Sequence, residues 1–130
     1  MKKVKSLVSP YSGKRVLVVD DSPLNIQLIS HLLKSYELTL STATNGLEAL
    51  DHLSEFECDL IFMDIHMPEM DGLEATRQIR MQEIPIPIIA LTADSSLETQ
   101  VMILDAGFDA LLIKPFDKEK MVKLMKKFLP

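Results

Sequence analysis

Two kinds of apolar pattern alternate along this chain. Short, nearly continuous runs rich in Val, Ile and Leu are separated by longer segments whose apolar residues recur three and four positions apart. The runs predict strands over Arg15–Val19, Leu38–Ala43, Leu60–Met63, Ile86–Leu91 and Asp109–Ile113, with Pro85 and Pro87 tolerable only near the start of the fourth. The spaced segments predict five helices. Ser22-Pro23 supplies an N-cap and a first-turn proline for a helix reaching about Ser35. Asn45 with Glu48 opens the second, whose Leu47, Leu50 and Leu53 are expected to face the sheet. A third runs from about Gly72 to Met81. Ser95 and Glu98 form a capping box for a fourth, ending near Asp105 with Gly107 just beyond it. Asp117 caps the last, which turns Met121, Leu124, Met125 and Phe128 inward and carries Lys123, Lys126 and Lys127 near its negative end.

Strand and helix therefore alternate five times, the signature of a doubly wound α/β domain. Leu60–Met63 has no polar residue, so both its faces are covered, as in a parallel sheet between helix layers. Residues 1–13 lack periodicity and read as a tail or linker, leaving residues 14–130 as the domain.

Composition narrows the function. The chain has 130 residues, enough for one core, and a net charge of −5 that disfavours a general nucleic-acid role. Its single cysteine, Cys58, excludes an internal disulfide and reads as an inert thiol beside a strand. The longest apolar runs fall well short of the ~18 residues of a membrane span. The lysines at the start precede too short an apolar stretch for a signal peptide, so a cytoplasmic location without membrane contact is expected. The eight methionines are read as fillers of core and loop gaps.

The chemistry is expected at the C-terminal ends of the strands. The first strand ends in Asp20 and Asp21, the third in Asp64, the fourth in Thr92 and the fifth in Lys114. With strand order 2-1-3-4-5, these side chains converge on one crevice. Each alone has an ordinary explanation as a cap, a turn or a strand end; their placement at successive strand ends points to a site. Two carboxylates ~4 Å apart repel by about 4 kcal/mol at an effective dielectric of ~20, so cations must compensate. Lys114 offers one charge, and Mg²⁺, which prefers oxygen ligands, offers two (Mn²⁺ is the alternative). That set suits phosphoryl transfer: Asp64 attacks phosphorus, Asp20 and Asp21 hold the metal with Asp64, and the backbone carbonyl of His66 completes the shell. Thr92 and Lys114 take the phosphoryl oxygens.

Val16–Asn25, Met63–Gly72, Ile88–Ala93 and Lys114-Pro115 resemble the receiver domain of two-component response regulators over roughly Lys14 to Leu129. Asn25 and Gly72–Arg80 are most similar to receivers fused to hybrid sensor kinases. The resemblance implies a five-stranded flavodoxin-like fold and a signalling module that promotes its own phosphorylation and dephosphorylation, not a metabolic enzyme. It implies transfer to Asp64 from a phosphohistidine on a histidine kinase or histidine-phosphotransfer domain, and a cis Lys114-Pro115 bond. Two positions depart from the pattern. Leu111 stands where receivers carry an aromatic whose rotation accompanies movement of the threonine, and His66 follows the acceptor by two residues. His31 and His52 receive no role.

The first helix has more apolar residues than one buried face needs: Leu24, Leu28 and Leu32 on one stripe, Ile26, Ile29 and Leu33 on another. The surplus, with Phe116, is a docking surface for a helical phosphotransfer domain; complete burial is the alternative. Two other readings use the same residues, an aspartate-nucleophile phosphohydrolase and a degenerate receiver that only binds. The first lacks a second acid two residues after Asp64 and room for a substrate cap. The complete acid set opposes the second.

Overall fold

A computed structural model describes residues 9–129. Its elements are β1 (Arg15–Val19), α1 (Pro23–Leu33), β2 (Thr39–Ala43), α2 (Gly46–Glu55), β3 (Leu60–Asp64), α3 (Gly72–Met81), β4 (Ile88–Thr92), α4 (Leu97–Ala106), β5 (Ala110–Ile113) and α5 (Lys118–Phe128). The five strands form one parallel sheet in the order β2-β1-β3-β4-β5.

Successive side chains on a strand point to opposite faces, so each buried strand feeds two cores. Leu17, Val19, Ile61, Met63, Ile88 and Ala90 pack against α2, α3 and α4 through Ala49, Ala75, Ile79 and Ile103. Val16, Val18, Leu60, Phe62, Ile89, Leu91 and Leu112 pack against α1 and α5 through Ile29, Leu33, Met121 and Met125. All five residues of β3 are buried, as its unbroken apolar sequence requires.

Register makes the strand ends level. Val19 lies beside Met63, Asp64 beside Leu91 and Thr92 beside Ile113. The residues one step past the last apolar position of β1, β3 and β5 therefore emerge on the same rim.

The structure corrects several local expectations. Leu47 is exposed, and α2 buries Gly46 and Ala49 instead, with Leu50 and Leu53 half-buried against the core. The N-cap of α4 is Ser96, which accepts from the Thr99 amide, not Ser95. β4 starts at Ile88, beyond both prolines, and α1 stops at Leu33, with Lys34–Tyr36 continuing as a 3₁₀ turn. Gly107 has φ 110 and ends α4 as expected.

Most of the stretch read as a tail, residues 1–8, lies outside the described residues. Ser9–Gly13 is described: Tyr11 packs on the α1–α5 core and meets the ring of Tyr36 edge-on, and the Gly13 amide donates to the Glu37 carbonyl. Cys58 donates to the carbonyl of Leu60, and burial pushes its thiol pKa up, so it matches the inert reading.

Candidate functional site

The site is built from the loops after β1, β3, β4 and β5. Asp20 follows β1 and is fully buried; its Oδ1 accepts from the Ser22 amide (2.9 Å) and its Oδ2 from the Asn25 side-chain amide (3.3 Å). Ser22 meanwhile caps α1 by accepting from the Asn25 amide. Helix start and carboxylate are thus locked by one local network. Sequence reasoning gave Asn25 no part in orienting Asp20; its position three residues past a serine N-cap was the signal available.

Asp64 closes β3. Its Oδ1 accepts from the His66 amide at 3.2 Å, and its Oδ2 lies 3.3 Å from Lys114 Nζ. The same Nζ is 3.5 Å from Asp20 Oδ2, so one ammonium bridges two buried carboxylates. Asp21 is exposed, yet one oxygen each from Asp20, Asp21 and Asp64 lie within 4.8 Å of one another. Burial raises the Asp64 pKa; the Asp20 charge adds to that, while the His66 amide and Lys114 oppose it.

The loop after β3 is held close to this pit. Gly72 is needed for space and not for an unusual φ: a Cβ there would land on the Asp64 carbonyl oxygen. Its amide donates to the Ile65 carbonyl, Glu69 adopts a left-handed φ of 67, and the Met70 carbonyl accepts from Gly46 at the start of α2.

Thr92 is buried at the end of β4, and its hydroxyl is occupied on both sides by Asp94, donating to that carbonyl (3.2 Å) and accepting from that amide (3.0 Å). The Asp94 carboxylate accepts from the Thr99 hydroxyl and the Ser96 amide, which hold its pKa below the usual carboxylate range. Lys114 is positioned by its amide, which donates to the Thr92 carbonyl, and it precedes a cis bond to Pro115.

Asp20, Asp21, Asp64 and Lys114 are thus brought together, and Thr92 stands level with them at the end of β4 with its hydroxyl on Asp94. His66 is exposed, with its amide on Asp64. Phe116 and Leu111 are both half-buried against the cores. Three carboxylates against one lysine leave the pit short of positive charge. Hard oxygen donors at this spacing fit Mg²⁺.

Sheet order and acidic pit together define a doubly wound domain with an acidic crevice at the switch between β1 and β3, where such sheets bind their ligands. The comparisons with known proteins agree. The family profile for the response regulator receiver domain matches residues 16–126, and the chain belongs to that family. Relatives include the sensor histidine kinase RcsC of Escherichia coli, 37% identical over 83% of this chain and 11% of that protein. Another is hybrid signal transduction histidine kinase E of Dictyostelium discoideum, 39% identical over 83% of this chain and 7% of that protein. The chain spans between 7% and 30% of the length of such relatives.

Among solved structures, the chemotaxis response regulator CheY4 of Vibrio cholerae is 34% identical with a TM-score of 0.84, covering 91% of this chain and all of that one. The receiver domain of sensor histidine kinase PA1611 from Pseudomonas aeruginosa is 32% identical with a TM-score of 0.84, covering 91% of this chain and 98% of that one. It is described with a magnesium ion coordinated in the active site cleft. The protein is a receiver domain of two-component signalling, homologous to the receivers of hybrid histidine kinases. Among the described residues no helix is long and apolar enough to cross a membrane.

Proposed function

We propose that this domain takes a phosphoryl group from a phosphohistidine onto Asp64. A carboxylate oxygen of Asp64 attacks phosphorus, the phosphorus–nitrogen bond breaks, and the released imidazole takes up a proton. The observation that carries this reading is Lys114 Nζ lying within 3.5 Å of both Asp20 and Asp64. That ammonium can follow negative charge as it moves from the carboxylate to the phosphoryl oxygens. Asp20, Asp21, Asp64 and the His66 carbonyl would hold Mg²⁺, which supplies the remaining positive charge for the crowded oxygens. Asn25 and the Ser22 amide orient Asp20. Thr92 would take a phosphoryl oxygen by turning its hydroxyl away from the Asp94 carbonyl.

The donor is a histidine kinase or histidine-phosphotransfer domain, and α1 is its docking surface. Leu24 is 74% exposed and Leu28 is 40% exposed, while Ile29 and Leu33 are fully buried. Complete burial of the helix is therefore not the case. Phe116 is half-buried and contributes at most an edge. The domain acts as a signalling module and not as a metabolic enzyme, with no direct nucleic-acid contact, and works in the cytoplasm.

Incubation with Mg²⁺ and acetyl phosphate, followed by mass spectrometry of trapped peptides, tests the chemistry. A single adduct on Asp64 is expected. Repeated turnover of unrelated phosphate esters would indicate a phosphohydrolase, and absence of label would indicate a binding module.

A further inference from the structure

β2 is an edge strand whose one sheet neighbour is β1. The Thr39 amide donates to the Lys14 carbonyl and the Ala43 carbonyl accepts from Asp20, so alternation along the strand turns the main-chain groups of Leu40 and Thr42 outward. No backbone hydrogen bond from outside the sheet reaches either among the described residues. Edge strands that stay free usually carry charges or prolines of their own, and Thr39–Ala43 carries neither. Beside this edge, on the α2 side, lies a groove of about 360 Å³ lined by Thr39, Ser41, His52 and Phe56, with Phe56 58% exposed. Arg15, also on its wall, is already paired with Glu57 and Asp59.

The occupant is tethered next to the edge. Ser12 donates to the Ser9 carbonyl and Lys14 to the Tyr11 carbonyl, and these turns reverse the chain ahead of β1. A segment entering them against the direction of β1 finds both sides of that strand taken, by β2 and β3, and the nearest open edge is the outer side of β2. The Ser9 amide, donating to the Glu37 carboxylate at 3.3 Å, already stands beside the approach to β2. Residues 1–8 lie outside the described residues; eight extended residues reach about 26 Å, against about 17 Å for the five of β2. We propose that residues 2–8 add along the outer edge of β2 as an antiparallel sixth strand.

Setting Ser9 opposite Glu37 fixes the register. Ser6 then pairs with Leu40 and Val4 with Thr42, where the free amides and carbonyls are. Val8 falls opposite Leu38 and shares the face on which Leu38 and Leu40 pack toward α1 and α5. Lys3, Lys5 and Leu7 take the other face, opposite Ala43, Ser41 and Thr39. α2 descends that face: Glu48 accepts from Thr44 just past β2, and Phe56 shares the groove with Thr39. Lys3 thus meets Glu48, Lys5 meets Asp51 and Leu7 meets Phe56. Charge agrees, because residues 48–59 hold five acids and no lysine or arginine, whereas residues 2–8 hold three lysines and no acid. Asp51 and Glu55 are exposed and make no ion pair among the described residues. A strand so placed closes the edge to pairing with other chains.

Amide hydrogen exchange in the full chain, read by NMR, tests this. Slow exchange at Leu40 and Thr42 is expected, at least tenfold slower than after Ser6→Pro, which removes the amide that donates to the Leu40 carbonyl. Lys3→Glu with Lys5→Glu should speed exchange at both amides at least threefold. In a Cys58→Ser background, Lys5→Cys with Ser41→Cys should close an intramolecular disulfide, while Lys5→Cys with Thr42→Cys, on opposite faces, should not. Labelling of Asp64 by acetyl phosphate reports that each variant is folded. Fast exchange at Leu40 and Thr42 in the unsubstituted chain overturns the proposal. So does protection that survives Ser6→Pro, a disulfide formed equally by both pairs, or one formed only between two chains, which assigns the edge to a second copy.

Discussion

Replacing Asp64 with asparagine should stabilise the domain at neutral pH when divalent cations are removed. Lys114 Nζ at 3.3 Å attracts the carboxylate by about 5 kcal/mol at an effective dielectric of ~20. Asp20, with an oxygen within 4.8 Å, repels it by about 3.5 kcal/mol on the same scale. Asp21 is exposed and adds a smaller repulsion. These contributions nearly cancel, so the desolvation of a 4% exposed carboxylate decides the sign, in line with its raised pKa. The substituted amide keeps an acceptor for the His66 N–H, and Lys114 keeps Asp20. A gain of about 1–2 kcal/mol follows, or roughly 3–8 °C in Tm for a domain of this size.

The sign with pH is fixed by linkage. An acid whose pKa is raised on folding binds its proton more tightly in the native state. Its stabilising contribution is complete below the unfolded value near 3.9 and is lost as pH rises through the folded value. The advantage of Asp64→Asn should therefore be largest near neutrality and fade in acid. Urea unfolding in EDTA at several pH values measures it, and added Mg²⁺ should stabilise the wild type far more than the variant. A variant less stable than wild type at pH 7.5 in EDTA, or a gap that does not narrow in acid, would refute the reasoning.

Three other outcomes are expected. Arg15 binds Asp59 through both its amide and its guanidinium, and these bonds outweigh burial to hold the Asp59 pKa down. Asp59→Asn should cost about 1 kcal/mol above pH 4, with the difference vanishing as pH falls through the lowered Asp59 value; acid titration of urea midpoints checks this. Gly72→Ala should cost at least about 2 kcal/mol and slow Asp64 labelling, because the new Cβ displaces the Asp64 carbonyl; thermal melting and acetyl phosphate kinetics report the two effects. Leu24→Ser with Leu28→Ser should leave labelling by acetyl phosphate unchanged while slowing transfer from a phosphotransfer domain at least tenfold, and equal transfer rates would remove α1 as the docking surface.

Misreadings of the sequence share a cause. Leu47, Leu50 and Leu53 are three apart, and three helical residues fall 60° short of a turn, so the series drifts around the helix. The buried face settles on Gly46 and Ala49, because the Met70 carbonyl and the Ala75 side chain press against Gly46 from the next unit. Ser95 and Ser96 each begin a plausible cap, and the choice is made by Asp94, which binds the Ser96 amide and the Thr99 hydroxyl. Periodicity cannot report a neighbour that arrives from another part of the chain. The same holds for Leu24 and Leu28, whose exposure depends on how wide a face the sheet can cover.

The pit escapes this difficulty because a parallel sheet turns sequence position into height. Each strand is marked by its apolar run, and the first polar residue after the run stands one step above the last buried one. Level register, with Val19 beside Met63 and Thr92 beside Ile113, then brings Asp20, Asp64, Thr92 and Lys114 to one rim without any long-range contact being known beforehand. What register leaves open is direction within that plane. Asp20 is turned by Asn25 and the Ser22 amide, and Thr92 is turned toward Asp94 and so not free to meet an oxygen at Asp64. On the proposed function, a phosphoryl group on Asp64 would draw the Thr92 hydroxyl away from the Asp94 carbonyl, and Asp94 also anchors the start of α4 through Thr99. Modification of Asp64 would then be coupled to the cap of a helix carrying exposed Leu97 and Val101, without recourse to an aromatic at position 111.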